Sequence, residues 1–156
     1  MMMEYRTRPT WDEQVALGDE LREIFSSSMP MAALGVAFSD GPKATEGILN
    51  SAAEGKDGMA INDSIVSFPN ELASEDGGPE ERFGYVEMGN LAFGFEEGLV
   101  NVPFAEALKM FEILGKHYLA YRPDRTKEVD ELLAQVRITF TRMQSDHERW
   151  KGQNTP

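Results

Sequence analysis

The stretch FGYVEMGNLAFGFEEGLVNV, residues 83–102, is the one whose reading decides the fold. Gly89-Asn90 suits a two-residue hairpin turn, because both residues tolerate the positive φ that such turns require. A turn there pairs Met88 with Leu91 and puts Val86, Met88, Leu91, Phe93 and Phe95 on one face. Phe83, Tyr85, Glu87 and Glu96 fall on the other. A second turn at Glu97-Gly98 pairs Glu96 with Leu99, which adds Val100 and Val102 to the apolar face and Asn101 to the polar one. A slip of one residue would exchange the faces, so the two turns predict a three-stranded meander over about 83–102.

Downstream, Pro103 is well placed to open a helix over FAEALKMFEILGKHYLAY. That helix is apolar nearly all round and must be covered on more than one side. Arg122-Pro123-Asp124 breaks it. Asp124 is a suitable N-cap for a last helix with a stripe of Val129, Leu132, Leu133, Val136, Phe140 and Met143. Upstream, Thr10 and Glu13 have the spacing of a capping box, ahead of Leu17, Leu21, Ile24 and Phe25 at helical intervals. Pro30 ends this first helix. LGVAF (34–38) and SIVSF (64–68) read as strands, and 43–53 holds a short helix. The expectation is an α+β architecture: an N-terminal helix, an antiparallel sheet that includes the meander, and two C-terminal helices packed on or beside it. One domain spans 1–150, and 151–156 is a disordered tail.

A chain of 156 residues buries roughly 70% of its unfolded surface without staples. It has no cysteine, which excludes disulfides and thiolate metal clusters. The opening MMMEYRTRPTW lacks the apolar core of a signal peptide, and no apolar run approaches a membrane span, so a cytoplasmic location is expected. The net charge of −12 argues against nucleic acid as a direct partner. Between Glu71 and Glu97 eight acids (Glu71, Glu75, Asp76, Glu80, Glu81, Glu87, Glu96, Glu97) face Arg82 alone. Such a concentration costs self-repulsion and attracts a cationic partner. It also serves solubility, which is the plainer reading.

Catalytic signatures are missing from the sequence: no nucleophile elbow, P-loop, dinucleotide fingerprint or H-E-x-x-H. His117 sits within the apolar helix as a hydrogen-bonded structural imidazole, and His147 lies in a charged segment. Glu87 and Glu96 approach diagonally as an acid–base pair would, with no third polar group implied. Asp57 and Asp63 do not fit a calcium loop. No catalytic residue, metal or cofactor is therefore expected. The candidate partner surface comprises Glu71, Glu75, Asp76, Glu80 and Glu81 for steering. Phe83, Tyr85, Glu87, Glu96 and Asn101 lie nearer the contact. Aromatic anchors ringed by carboxylates suit a basic protein surface.

A strand ending FGFEEG, the short strand LVNV, the helix PFAEALKMFEILGKHYLAYRPD and the amphipathic EVDELLAQV carry a resemblance of pattern. Over residues 83–136 the chain resembles the immunity proteins of bacterial contact-dependent growth inhibition systems, those paired with ribonuclease toxins. The resemblance implies a non-enzymatic cytoplasmic inhibitor that binds a toxin domain delivered by a sibling cell and blocks its working surface. It assigns no individual contact residue and implies no membrane partner. An acidic adaptor domain and a small hydrolase are the alternative readings.

Overall fold

The structure, a computed structural model, describes residues 6–24, 29–55, 59–61, 64–68, 85–90 and 99–154. Among the described residues the chain is mainly helical, which corrects the α+β expectation. Five α-helices make up most of it: α1 (Trp11–Ile24), α2 (Met29–Ser39), α3 (Pro42–Glu54), α4 (Phe104–Tyr121) and α5 (Thr126–Asn154). The strands β1 (Met59–Ile61), β2 (Ser64–Ser67), β3 (Tyr85–Asn90) and β4 (Leu99–Pro103) are only three to six residues long. They pair in that order as a short antiparallel ladder laid against helices.

Two stretches depart from the sequence reading, and the first of them replaces an expected strand with helix. Leu34 to Phe38 belongs to α2. Its buried residues are Ala33, Leu34, Ala37 and Phe38, the spacing of a helix and not the alternation of a strand. Every residue there is apolar or glycine, so large and small side chains alternate without marking an inside and an outside. Gly89 and Asn90 do not turn. They continue β3, with Gly89 opposite Ile65 and Leu99, and Asn90 opposite Ser64. Residues 91–98 of the expected meander lie outside the described residues. Val86 and Val102 face each other across β3 and β4, and both are buried with Val66 and Met88 on the side that packs on α2 and α4.

Local chemistry sets the helix ends. At α1 the Glu13 N–H donates to Thr10 Oγ1 (3.2 Å) and the Thr10 N–H donates to Glu13 Oε1 (2.7 Å), a complete capping box. Pro42 opens α3, and Gly55 closes it in the left-handed conformation (φ 72°), its N–H donating to Ser51 O at 2.8 Å. The buried Thr45 donates its hydroxyl toward Ala37 O (3.0 Å) and Gly41 O (2.9 Å), tying α3 to the end of α2. Thr139 does the same between α5 and α3 through Ala53 O (2.5 Å). Helix α5 extends to Asn154, into the stretch from 151 read as a tail.

The core is one continuous cluster. Phe140 of α5 is at its aromatic centre, 5.7 Å from Phe104, 5.8 Å from Phe111 and 6.2 Å from Phe68 between ring centroids. Truncating it removes area from three neighbours at once, so Phe140→Ala is expected to lower the unfolding free energy by about 3–5 kcal/mol in denaturant titrations.

Gly41 has φ +107°, and a Cβ there would meet the backbone oxygen of Thr7 at 2.8 Å. Gly47, inside α3, would place a Cβ in open space. Thermal unfolding of Gly41→Ala is expected to show a loss of about 1–3 kcal/mol. Gly47→Ala is expected to gain about 0.5–1 kcal/mol through helix propensity.

Candidate partner-binding surface

The face of the ladder opposite Val86, Met88 and Val102 is where register places three of the expected contact residues. Glu87 stands between Ser67 on β2 and Asn101 on β4, forming one polar row across three strands, and Tyr85 stands opposite Pro103. Asn101 and Pro103 are exposed and Ser67 is half-buried. Glu71, Glu75, Asp76, Glu80, Glu81, Phe83 and Glu96 lie outside the described residues. Ser67 was not anticipated. Its place follows from the pairing of β2 with β3, which no local signal in SIVSF reveals.

The ion pairs among the described residues show where much of the positive charge is spent. Arg6 binds Glu13, Lys116 binds Glu20, Arg122 binds Asp124, Arg125 binds Glu46 and Arg137 binds Glu112, at 2.5–2.9 Å. Arg22–Asp19 and Arg149–Asp146 are looser, both at 3.7 Å. These seven cations, of 15 in the chain, thus hold carboxylates outside residues 71–97.

A second polar cluster joins α3 to the end of α4. Glu46 accepts from the Tyr118 hydroxyl and from Arg125, whose Nη2 lies 2.7 Å from Oε1 and whose Nε lies 3.0 Å from Oε2. Burial pushes the Glu46 carboxyl up, but the Arg125 and Tyr118 hydrogen bonds outweigh it and hold the carboxyl below its ordinary value. Burial also raises both phenols, that of Tyr121 to about 12. Tyr121 is 4% exposed, its hydroxyl has no hydrogen-bond partner among the described residues, and Arg6 lies 5.5 Å above its ring. Phenols that stay protonated and a carboxylate that stays ionised give no group poised to trade protons near neutrality. The cluster clamps helices together. His117 Nε2, 3.1 Å from Glu20 Oε1 and mostly buried, is likewise a structural contact between α4 and α1.

No group of three or more His, Asp or Glu side chains among the described residues is arranged to hold a metal ion. None of their helices is long and apolar enough to cross a membrane. No protein-family model and no curated protein matches the chain.

The Arg6 hydrogen bonds lower the Glu13 carboxyl from 4.5 to about 2. A carboxyl depressed by folding contributes stability above its unfolded value and loses that contribution as pH falls toward the folded one. Unfolding followed between pH 5 and pH 2 is therefore expected to show stability falling with acid. Glu13→Gln is expected to have a shallower fall over the same range and lower stability at neutral pH.

Proposed function

We propose that the chain is a cytoplasmic, non-enzymatic inhibitor that binds a basic toxin domain, of nuclease type, and occludes its substrate-binding surface. The observation that carries this reading is the composition of residues 71–97: eight acids to one base. Seven of the chain's cations are meanwhile committed to carboxylates elsewhere. A nuclease must attract phosphate, so its working surface is basic, and an acidic inhibitor competes for that surface. The polar row Ser67–Glu87–Asn101 adds hydrogen-bonding residues in register across three strands. The resemblance of residues 83–136 to contact-dependent growth inhibition immunity proteins supports the same assignment.

In this mechanism Glu71, Glu75, Asp76, Glu80 and Glu81 accelerate encounter, and Phe83, Tyr85, Glu87, Glu96 and Asn101 form the contact. Steering charges act mainly on the association rate and its salt dependence, whereas buried contacts set the dissociation rate. Reversing Glu80, Glu81, Glu87 and Glu96 together to lysine is therefore expected to weaken toxin binding by about 100-fold or more at low salt and to flatten its salt dependence. Surface plasmon resonance against the toxin domain, at two ionic strengths, reads both. Unchanged affinity and unchanged salt sensitivity would remove this surface from the mechanism.

A further inference from the structure

Helices α1 and α2 enclose between them a groove of about 370 Å3 lined by Trp11, Val15, Gly18, Arg22, Gly35 and Val36. Among the described residues three large apolar side chains are exposed, and two of them line this groove: Trp11, 74% exposed, and Val15, 42% exposed. Gly35 explains why the groove is open. It sits inside a helix, where glycine is unfavourable, and a Cβ built on it would meet nothing within 4 Å. Neither backbone conformation nor crowding calls for a glycine at this place. Its consequence is an unfilled space beside an exposed indole, on a helix whose first turn is already held by the Thr10–Glu13 capping box.

Charge selects the occupant. Trp11, Val15, Gly18 and Arg22 follow one another at helical spacing along the groove, and Asp12, Asp19 and Glu23 run beside them one position on, all exposed. Residues 11–40 contain six acids and one base. Glu13 and Glu20 are engaged by Arg6 and Lys116, and Asp19 is only loosely paired with Arg22, at 3.7 Å, so Asp12, Asp19 and Glu23 are the acids a basic segment can reach along the groove. We propose that this groove is a docking site for a basic polypeptide segment, which inserts one aliphatic or aromatic side chain beside Trp11 and lays its lysines or arginines along Asp12, Asp19 and Glu23. A second copy of a chain with net charge −12 would be repelled, and so would an anionic lipid surface. The site is separate from the Ser67–Glu87–Asn101 face, because α2 stands between α1 and the strands. It does not depend on the identity of the toxin.

The test uses the full chain with Trp150→Phe, which leaves Trp11 as the sole tryptophan. Short lysine-rich peptides with one central leucine are titrated against it. Trp11 emission is expected to move to shorter wavelength and saturate. A central serine in place of the leucine is expected to bind about tenfold more weakly, as is the leucine peptide with Asp12, Asp19 and Glu23 all changed to lysine. Gly35→Leu, which fills the floor of the groove, is expected to abolish the shift while circular dichroism stays unchanged. If that variant does not fold, Trp11→Ala read by anisotropy of a labelled peptide is expected to show a loss of about tenfold or more. The proposal is overturned if no peptide gives a saturable shift, if folded Gly35→Leu or Trp11→Ala binds as tightly as the parent, or if glutamate-rich peptides bind equally. An emission shift that grows with protein concentration alone would assign the groove to self-association and overturn it too.

Discussion

Helix α4 has to be covered on several sides at once, and the rest of the fold is arranged to meet that demand. Its buried residues, Phe104, Ala107, Met110, Phe111, Leu114, Gly115, Tyr118 and Tyr121, leave only a narrow solvent-facing strip. Helices α1, α2, α3 and α5 and the strands β3 and β4 all touch it. At one end the aromatic group around Phe140 locks α5 and the end of β2 onto it. At the other, Tyr118 and Tyr121 stack edge to face, and Tyr121 meets Phe38 of α2 in the same way. Burying such side chains is worth about 1.5–3 kcal/mol each, which outweighs any single surface ion pair by a wide margin.

The ion pairs therefore matter less for stability than for what they do to the charge distribution. Arg125 on Glu46, Lys116 on Glu20 and Arg137 on Glu112 each join separate helices and neutralise acids of the helical body. Residues 71–97 carry eight acids, and Arg82 is the single base among them. The ion pairs thus tie helices to one another, while the sequence of residues 71–97 supplies the negative charge on which the proposed function rests.

What was legible in the sequence depended on how far apart the deciding residues lie. The Thr10–Glu13 capping box, the helix from 104 to 121 and the stripe of the last helix are local patterns, and the structure has them where the spacing puts them. The alternation that marks Val86, Met88 and Val102 as core-facing was legible too. Leu34 to Phe38 was not, because a segment apolar on every side has no period to read. Gly89-Asn90 has turn chemistry, yet pairing with β2 and β4 extends β3 through it, and long-range pairing outweighs a local preference. For the same reason the neighbour of Glu87 on β2, Ser67, was invisible. The groove at Trp11 was missed as well, since it exists only because α2 is a helix crossing α1.

The central claim is that this acidic protein neutralises a basic, nuclease-like partner. Its most direct test is affinity capture from the native cell at low and at high salt, with mass spectrometry of the eluate and a nuclease assay on what is recovered. The account predicts a basic domain retained at low salt and released at high salt, whose nuclease activity is suppressed by added inhibitor at one-to-one stoichiometry. Recovery of a partner held equally at both salt concentrations, or of a nuclease whose activity the protein leaves untouched, would contradict it.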